Sequence, residues 1–223
     1  MKQIHLADVA QLRYALYRFL SASLLYPEEA RLEHLSEAGE ILEAHRTALQ
    51  HFAFYGPWRR WADCLGRYCR KPQELQASYT TLCQTIPLQA SRYLDPEGPG
   101  QGRIMLKLER KYREAGLMLS TRHSLPPDHL AVELEFMAFL CQHESEAWAG
   151  DDPASLPLPV EHVFLRQHLR RWVPLLTWRV REEAAANPYR IAVEAIEAFI
   201  HHDADWLALV SSATREWRGK ASA

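Results

Sequence analysis

The stretch from residue 128 to residue 148 constrains the fold more than any other part of the sequence. Its apolar side chains fall on nearly every side of the helix that their spacing predicts, and they are Leu130, Val132, Leu134, Phe136, Met137, Phe139 and Leu140. A helix that is apolar all round has to be covered by other elements on most of its sides. The rest of the chain is therefore expected to fold around this helix.

The remainder of the sequence also favours helices. Leu and Ala far outnumber Ile, Val and Thr, and no segment shows the two-residue alternation of a half-buried strand. Helical spacing predicts helices from about Asp8 to Tyr26, at 28–37, 40–54, 57–69, 73–85, 103–120 and 128–148, around Leu165–Leu176, and after Pro188. Pro174 is expected to kink or split the helix that contains it. We predict an all-α protein with a compact, bundle-like fold of about nine helices.

Length and composition fit one globular domain. The chain has 223 residues, of which 48% are hydrophobic and 24% are charged. That length allows one sizeable core or two closely packed lobes and does not choose between them. We predict a single domain over residues 1–223, with a possible hinge near 121–127 between two lobes. The formal net charge of −2 is too even for a general nucleic-acid binder. No apolar run approaches the roughly 18 residues that cross a bilayer, so no stable membrane insertion is expected.

The N-terminus and the cysteines both indicate the cytoplasm. Asp8, Arg13 and Arg18 interrupt the segment that would have to be apolar in a signal peptide. None of the four cysteines forms a C-x-x-C pair, and Cys64-x4-Cys69 has no matching second half for a zinc site. We therefore expect reduced thiols in a cytoplasmic protein.

Signals for catalysis are weak. A zinc metalloprotease needs H-E-x-x-H on one helical face, whereas this chain offers only His129-x3-Glu133 without a third ligand. The glycine-rich stretch 98–102 precedes a predicted helix, but no strand leads into it and the pattern G-x-x-x-x-G-K-[ST] is absent. A helical metal- or nucleotide-dependent hydrolase that uses His129 and Glu133 is the main alternative to a binding protein.

A basic stretch, Arg166–Arg181, contains both Trp172 and Trp178. Arginines interleaved with aromatic residues can bind nucleic acid. Trp172 lies on the apolar stripe of its helix, however, so we expect it in the core and the arginines on the solvated face. A DNA-binding regulator is therefore a third and weaker alternative.

The segment Pro126–Met137 reads P-P-D-H-L-A-V-E-L-E-F-M, and local structure explains only part of it. The two prolines impose an extended approach, and Asp128 is expected to cap the new helix, stabilising it by roughly 1 kcal/mol. Glu133 and Glu135 lie in an apolar helix, where a buried carboxylate is costly unless it is paired. Either they pair internally with an arginine, or they face a cleft that accepts a cationic ligand.

The Pro126–Met137 segment closely resembles the signature of the TorD/DmsD family of molybdoenzyme assembly chaperones, which includes the nitrate reductase delta-subunit proteins. The resemblance covers about residues 79–200. Outside the segment it is carried by Tyr79, Leu82, Ser91, Tyr93, Leu94, Tyr112, Gly116, Phe164, Leu165, His168, Leu169, Trp172 and Tyr189.

The resemblance implies an all-helical cytoplasmic chaperone that is not an enzyme and uses no cofactor of its own. Such proteins hold the apo catalytic subunit of a molybdopterin-containing oxidoreductase during cofactor insertion. Many also bind its twin-arginine signal peptide and so prevent premature export. The resemblance leaves open which molybdoenzyme is the client, whether the leader or the mature body is bound, whether GTP binds weakly, and whether domain-swapped oligomers form.

By position, the resemblance makes Asp128 and His129 the residues linked to signal-peptide binding. A twin-arginine leader presents two guanidinium groups followed by an apolar stretch, so its receptor needs carboxylates and an apolar groove. Asp128 and Glu133 are expected to supply the charge, Leu130 and Met137 the groove, and His129 is expected to be neutral and hydrogen-bonded. The predicted client-binding residues are Pro127, Asp128, His129, Leu130, Glu133 and Met137.

Overall fold

The protein is all-α in the computed structural model, which describes residues 5–95, 98, 100–118, 125–150, 152 and 155–221. The helices are α1 (Leu6–Ala22), α2 (Glu29–Glu43), α3 (Arg46–Leu49), α4 (Tyr55–Tyr68), α5 (Pro72–Thr85), α6 (Ser91–Leu94), α7 (Gly100–Glu114), α8 (Leu130–Ala149), α9 (Leu158–Phe164), α10 (Arg170–Glu183) and α11 (Tyr189–Ala221). A π-helical turn, Leu165–Leu169, joins α9 to α10. Within the described residues nine helices have seven residues or more, close to the predicted number, and the all-α prediction is confirmed.

Helix α8 lies at the centre of the fold, as its apolar sequence predicts. It packs antiparallel to α1 along nearly the whole length of both helices. At one end the Ser145 hydroxyl donates to the carbonyl of Ala7 (3.0 Å), and at the other the Ser21 hydroxyl donates to the carbonyl of Ala131 (2.8 Å). The α1–α8 pair is therefore the framework against which the other helices pack.

One continuous apolar cluster runs through the described residues from Leu16 to Val210. Its largest fully buried side chains include Trp58, Trp61 and Trp172. Each fully buried large apolar side chain contributes roughly 1.5–3 kcal/mol to folding. None of the described helices combines the length and the apolar character that a membrane span requires.

The predicted end of helix 103–120 is wrong, and Gly116 gives the physical reason. Its φ of +87° is a left-handed conformation that a glycine adopts without a steric penalty. The N–H of Leu117 then donates back to the carbonyl of Tyr112 (2.8 Å), which closes the last turn of α7. The helix consequently ends at Glu114.

Two other boundaries differ from the sequence prediction. The helices predicted at 28–37 and 40–54 are replaced by the single helix α2 and the short turn α3. Helix α10 continues through Pro174, while the irregular turn lies upstream at Leu165–Leu169. The single-domain organisation and its hinge stay predictions, since residues 121–124 of the proposed hinge lie outside the described residues.

Candidate functional site

The first residues of the Pro126–Met137 segment are fixed to the chain between α5 and α6. The N–H of Leu130 donates to the carbonyl of Leu88 (2.8 Å), and the N–H of Ala90 donates to the carbonyl of Asp128 (2.9 Å). Gln89 and His129 thereby form an isolated antiparallel bridge. The entry into α8 is thus held by backbone hydrogen bonds to residues about forty positions earlier in the chain.

The prediction that Asp128 caps the apolar helix is wrong, because the N-cap of α8 is His129. His129 Nδ1 accepts a hydrogen bond from the N–H of Ala131 (3.2 Å). The carboxylate of Asp128 instead accepts from the N–H of Ser91 (3.0 Å), in the first turn of α6. Both side chains are buried. Asp128 therefore links two parts of the chain, while His129 starts the central helix.

Glu133 is fully buried, and both of its carboxylate oxygens have partners. Oε1 lies 2.7 Å from Nε2 of His168, and Oε2 accepts from the indole N–H of Trp172 (3.0 Å). Burial raises the pKa of Glu133, and the contacts with His168 and Trp172 oppose that rise. The expected internal pairing exists, but its partners are a histidine and an indole rather than an arginine.

Glu135 lies two residues after Glu133 in α8 and has the opposite environment. Its side chain is 52% exposed and accepts a hydrogen bond from Nη1 of Arg18 on α1, whose side chain is 51% exposed. The hydroxyl of Ser21 lies 3.2 Å from its other oxygen. The two glutamates that the sequence could not tell apart thus have different roles: Glu133 is a core residue, and Glu135 faces solvent.

Glu135 lies in an apolar groove of about 520 Å³, which we call the α1–α8 groove. The described residues of its lining come from α1, α2, α7, α8 and the segments next to them, and the charged ones are Arg18, Arg31 and Glu135. The apolar lining is Ala22, Leu25, Tyr112, Leu117, Met118, Leu125, Ala131, Val132 and Phe136. Past Arg18 and Arg31 it continues towards α2 as a second depression of about 320 Å³. The shape and lining suit an extended or helical apolar segment.

Several of the positions that carry the family resemblance contact the Pro126–Met137 segment or its partners. The hydroxyl of Tyr112 donates to the carbonyl of Pro127 (2.8 Å), and Tyr112 also lines the α1–α8 groove. Tyr93 stacks on Trp172 with ring centroids 5.6 Å apart, behind the Trp172–Glu133 hydrogen bond. These tyrosines and the histidine–tryptophan pair hold α8 in place. The sequence marked them only as a spaced pattern, without showing what they contact.

The remaining predicted site residues are buried. Leu130 and Met137 are fully enclosed in the core, and Pro127 is buried beneath Tyr112. Their side chains pack behind the wall of the α1–α8 groove, whereas Leu125, Val132 and Phe136 of the same region line it. Helical spacing explains the division, since Val132 and Phe136 are one turn apart on the face that α1 leaves open.

We predict that neutral His129 makes stability depend on pH. Burial lowers the pKa of His129 to about 4, against the opposing effect of Asp128. The unfolded chain binds a proton near pH 6.5 while the folded chain does not, so stability is complete above pH 6.5 and falls as the pH drops towards 4. Urea unfolding measures the free energy of unfolding between pH 7 and pH 4. Over this range the native protein is expected to lose up to about 3 kcal/mol more than His129→Asn does. If the free energy of unfolding depended on pH equally in the two proteins, His129 would not be the group responsible.

The arrangement does not support the hydrolase alternative. Both oxygens of Glu133 and the Nδ1 atom of His129 are already engaged in internal hydrogen bonds. In the described part of the chain, the one group of three side chains with metal-ligand chemistry within 4.8 Å is Cys141, Glu144 and Glu161. There the guanidinium of Arg13 already supplies the positive charge. The glycine-rich stretch 98–102 lies partly outside the described residues.

In the basic stretch Arg166–Arg181, Trp172 lies in the core, as the sequence predicts. Trp172 is buried, whereas Trp178 is largely exposed. Arg179 and Arg181 form ion pairs with Glu183 (2.9 Å) and Glu194 (3.0 Å). These pairs neutralise part of the positive charge that a nucleic-acid surface would need.

Fold and site together define a class of protein: an all-α protein whose central helix borders an apolar groove. The chain belongs to the nitrate reductase delta subunit family, whose pattern matches residues 53–177. That range contains the whole Pro126–Met137 segment and both partners of Glu133. The resemblance read from the sequence is confirmed.

Curated relatives carry chaperone names. Chaperone protein TorD of Shewanella pealeana is 26% identical over 125 residues, covering 53% of this chain and 51% of the relative. The chlorate reductase assembly chaperone protein of Ideonella dechloratans is 35% identical over 142 residues, covering 59% and 70%. The selenate reductase assembly chaperone protein of Thauera selenatis is 36% identical over 101 residues, covering 44% and 51%.

The matches to the TorD relatives span about half of each relative's length. The names describe assembly chaperones rather than catalysts, and three of the reductases named act on oxyanions: perchlorate, chlorate and selenate.

Proposed function

We propose that this protein is a cytoplasmic chaperone for the catalytic subunit of a molybdenum-cofactor oxidoreductase. It binds the apo subunit and its twin-arginine leader, assists cofactor insertion and prevents premature export. Family membership and the assembly-chaperone names of the relatives support the chaperone role. The observation that carries leader binding is the α1–α8 groove, which lies beside the Pro126–Met137 segment and has a carboxylate in its lining.

The groove suits the apolar part of a leader. Four or five apolar side chains buried there contribute roughly 1.5–3 kcal/mol each. Ordering a disordered leader costs roughly 2–5 kcal/mol, and the loss of overall motion costs more. The balance is compatible with micromolar or tighter binding. Leu25, Val132 and Phe136 provide the apolar contact, and the flexible side chain of Met118 adapts to different leaders.

The predicted site residues enter this proposal mainly as positioning residues. Asp128 and His129 fix the entry into α8, and Glu133 fixes its orientation through His168 and Trp172. Pro127, Leu130 and Met137 support the same wall from behind. Glu135 replaces Asp128 and Glu133 as the carboxylate that a leader guanidinium meets, because its side chain is exposed and theirs are buried.

We expect Leu25→Ser/Val132→Ser to weaken leader binding by at least about tenfold, since each change removes apolar contact worth roughly 1 kcal/mol or more. The measurement is isothermal titration calorimetry with a twin-arginine leader of a molybdoenzyme encoded beside this chain. Val160→Ser/Leu175→Ser is the matched control, because it changes the same residue types on exposed surfaces of α9 and α10.

Two results would count against leader binding in the groove: the absence of any binding, and an equal loss in the control pair. Unchanged binding by a folded Asp128→Ala/His129→Ala variant would count against the positioning role of these two residues. Repeating the titration with the apo catalytic subunit, with and without its leader, separates recognition of the leader from recognition of the mature body.

A further inference from the structure

Among the described residues that line the α1–α8 groove there are one carboxylate and two guanidinium groups. Arg31 donates from Nη1 to the backbone carbonyl of Tyr26, so it is anchored at the rim. Arg18 donates from Nη1 to Oε1 of Glu135. The groove is therefore slightly positive as it stands, and its one carboxylate is occupied. A dicationic leader meets an unfavourable field unless Glu135 is released.

The Arg18–Glu135 ion pair is of the exchangeable kind. Both side chains are about half exposed, and exposed ion pairs contribute only about 0–1 kcal/mol. Arg13, five residues earlier on the same helix, is buried among three carboxylates and has no such freedom. Within helix α1, one arginine is thus fixed in the core and the other is free to leave its partner.

We propose that Arg18 is an internal substitute for a leader arginine and thereby determines which leaders the groove accepts. An entering guanidinium replaces Arg18 on Glu135, and Arg18 turns outward into water. The exchange replaces one guanidinium–carboxylate contact by another, so apolar contact supplies the net affinity while the exchange supplies selectivity. Lysine is a poorer substitute, because an ammonium group lacks the planar donor arrangement of a guanidinium. This inference rests on the proposed leader binding.

The test compares two synthetic leader peptides, one with its Arg-Arg pair and one with Gln-Gln in its place. Each is titrated calorimetrically against the native protein, Arg18→Gln, Glu135→Gln and the double variant. Arg18→Gln is expected to bind the Arg-Arg peptide about two- to fivefold more tightly, which is the effect of removing an exposed competing ion pair. Its affinity for the Gln-Gln peptide is expected to stay unchanged.

Glu135→Gln is expected to bind both peptides equally, and adding Arg18→Gln to it is expected to have no further effect. Arg59→Gln is the matched control, because Arg59 is also a partly exposed arginine in an ion pair, on α4 and outside the groove. It is expected to bind both peptides as the native protein does.

Two results would overturn the role of Arg18. One is Arg-Arg peptide binding by Arg18→Gln that is equal to or weaker than that of the native protein. The other is an equal gain for the Gln-Gln peptide, which would attribute the effect to uncovered apolar surface. Failure of the proposed function has a different signature, since the native protein and every variant would then bind neither peptide.

Discussion

Replacement of Arg13 by methionine is expected to lower the free energy of unfolding by about 3–5 kcal/mol at pH 7. The guanidinium donates from Nε to Oδ1 of Asp203 (2.5 Å), from Nη2 to Oε2 of Glu161 (2.5 Å), and from Nη1 to Glu144. All four side chains are buried, and the three carboxylates come from α8, α9 and α11. Without Arg13, these carboxylates lose their shared counter-charge. A domain of this kind has only about 5–15 kcal/mol in total, so the loss is severe.

The pH dependence of the stability of Arg13→Met tests whether the unpaired carboxylates cause the loss. Burial raises the pKa of Glu161 to about 8, assisted by Glu144 and Asp203 and opposed by Arg13. A group with a raised pKa in the folded state favours folding at low pH, and that contribution is lost as the pH rises towards 8. Removing Arg13 takes away the charge that opposes the rise in the pKa values of Glu144 and Glu161. The gap in the free energy of unfolding between Arg13→Met and the native protein is therefore expected to narrow as the pH falls from about 9 towards 7. Adding Glu161→Gln to the variant is expected to restore part of the loss above pH 8, where keeping the buried Glu161 carboxyl protonated costs free energy.

Arg18→Met is the matched control for Arg13→Met, because it removes an arginine from the same helix. Its ion pair with Glu135 is half exposed, so we expect a change of less than about 1 kcal/mol. Urea unfolding followed by circular dichroism measures both variants. A similar small loss for both, or a gap that does not depend on pH, would contradict the central role of Arg13.

Helical periodicity predicts the central helix, because its apolar residues fall on nearly every side of it. It fails at boundaries that depend on a single backbone angle, such as the end of α7 at Gly116. It also fails where the hydrogen-bond partner of a side chain lies far away in the sequence. Asp128 precedes a helix and has the right chemistry for its cap, yet a backbone N–H of α6 is the partner that it takes.

The candidate site shows the same limit more sharply. Glu133 and Glu135 are two residues apart, so they point to different sides of α8, but the sequence does not state which side is covered. The decision depends on His168 and Trp172, more than thirty positions away, and on Arg18 of α1. The buried group around Arg13 was also missed. Its members are spread over four helices, and the only sequence signal was charged residues within amphipathic patterns.

Replacement of Glu133 by alanine is expected to lower the free energy of unfolding by about 3–5 kcal/mol, since it removes one partner of a buried polar network. The indole N–H of Trp172 loses its acceptor, and His168 loses the carboxylate 2.7 Å from its Nε2. Each buried donor left without a partner costs about 1–3 kcal/mol. Glu133→Gln is expected to lose less, because its amide oxygen still accepts from Trp172. Chemical unfolding at pH 7 measures the free energies of unfolding of the native protein, Glu133→Gln and Glu133→Ala, which are expected to decrease in that order.

Glu135→Ala is the matched control for Glu133→Ala, because it makes the same change two residues along the same helix. Its exposed ion pair predicts a stability change below about 1 kcal/mol. Changes at the two glutamates are expected to affect leader binding in the opposite order, with the larger effect at Glu135. In the Arg18→Gln background, adding Glu135→Ala is expected to abolish the preference for the Arg-Arg peptide, whereas adding Glu133→Gln, with the wall of the groove preserved, is expected to keep it. Equal stability losses in the two alanine variants would remove the distinction between a core glutamate and a groove glutamate, on which the location of the binding site depends.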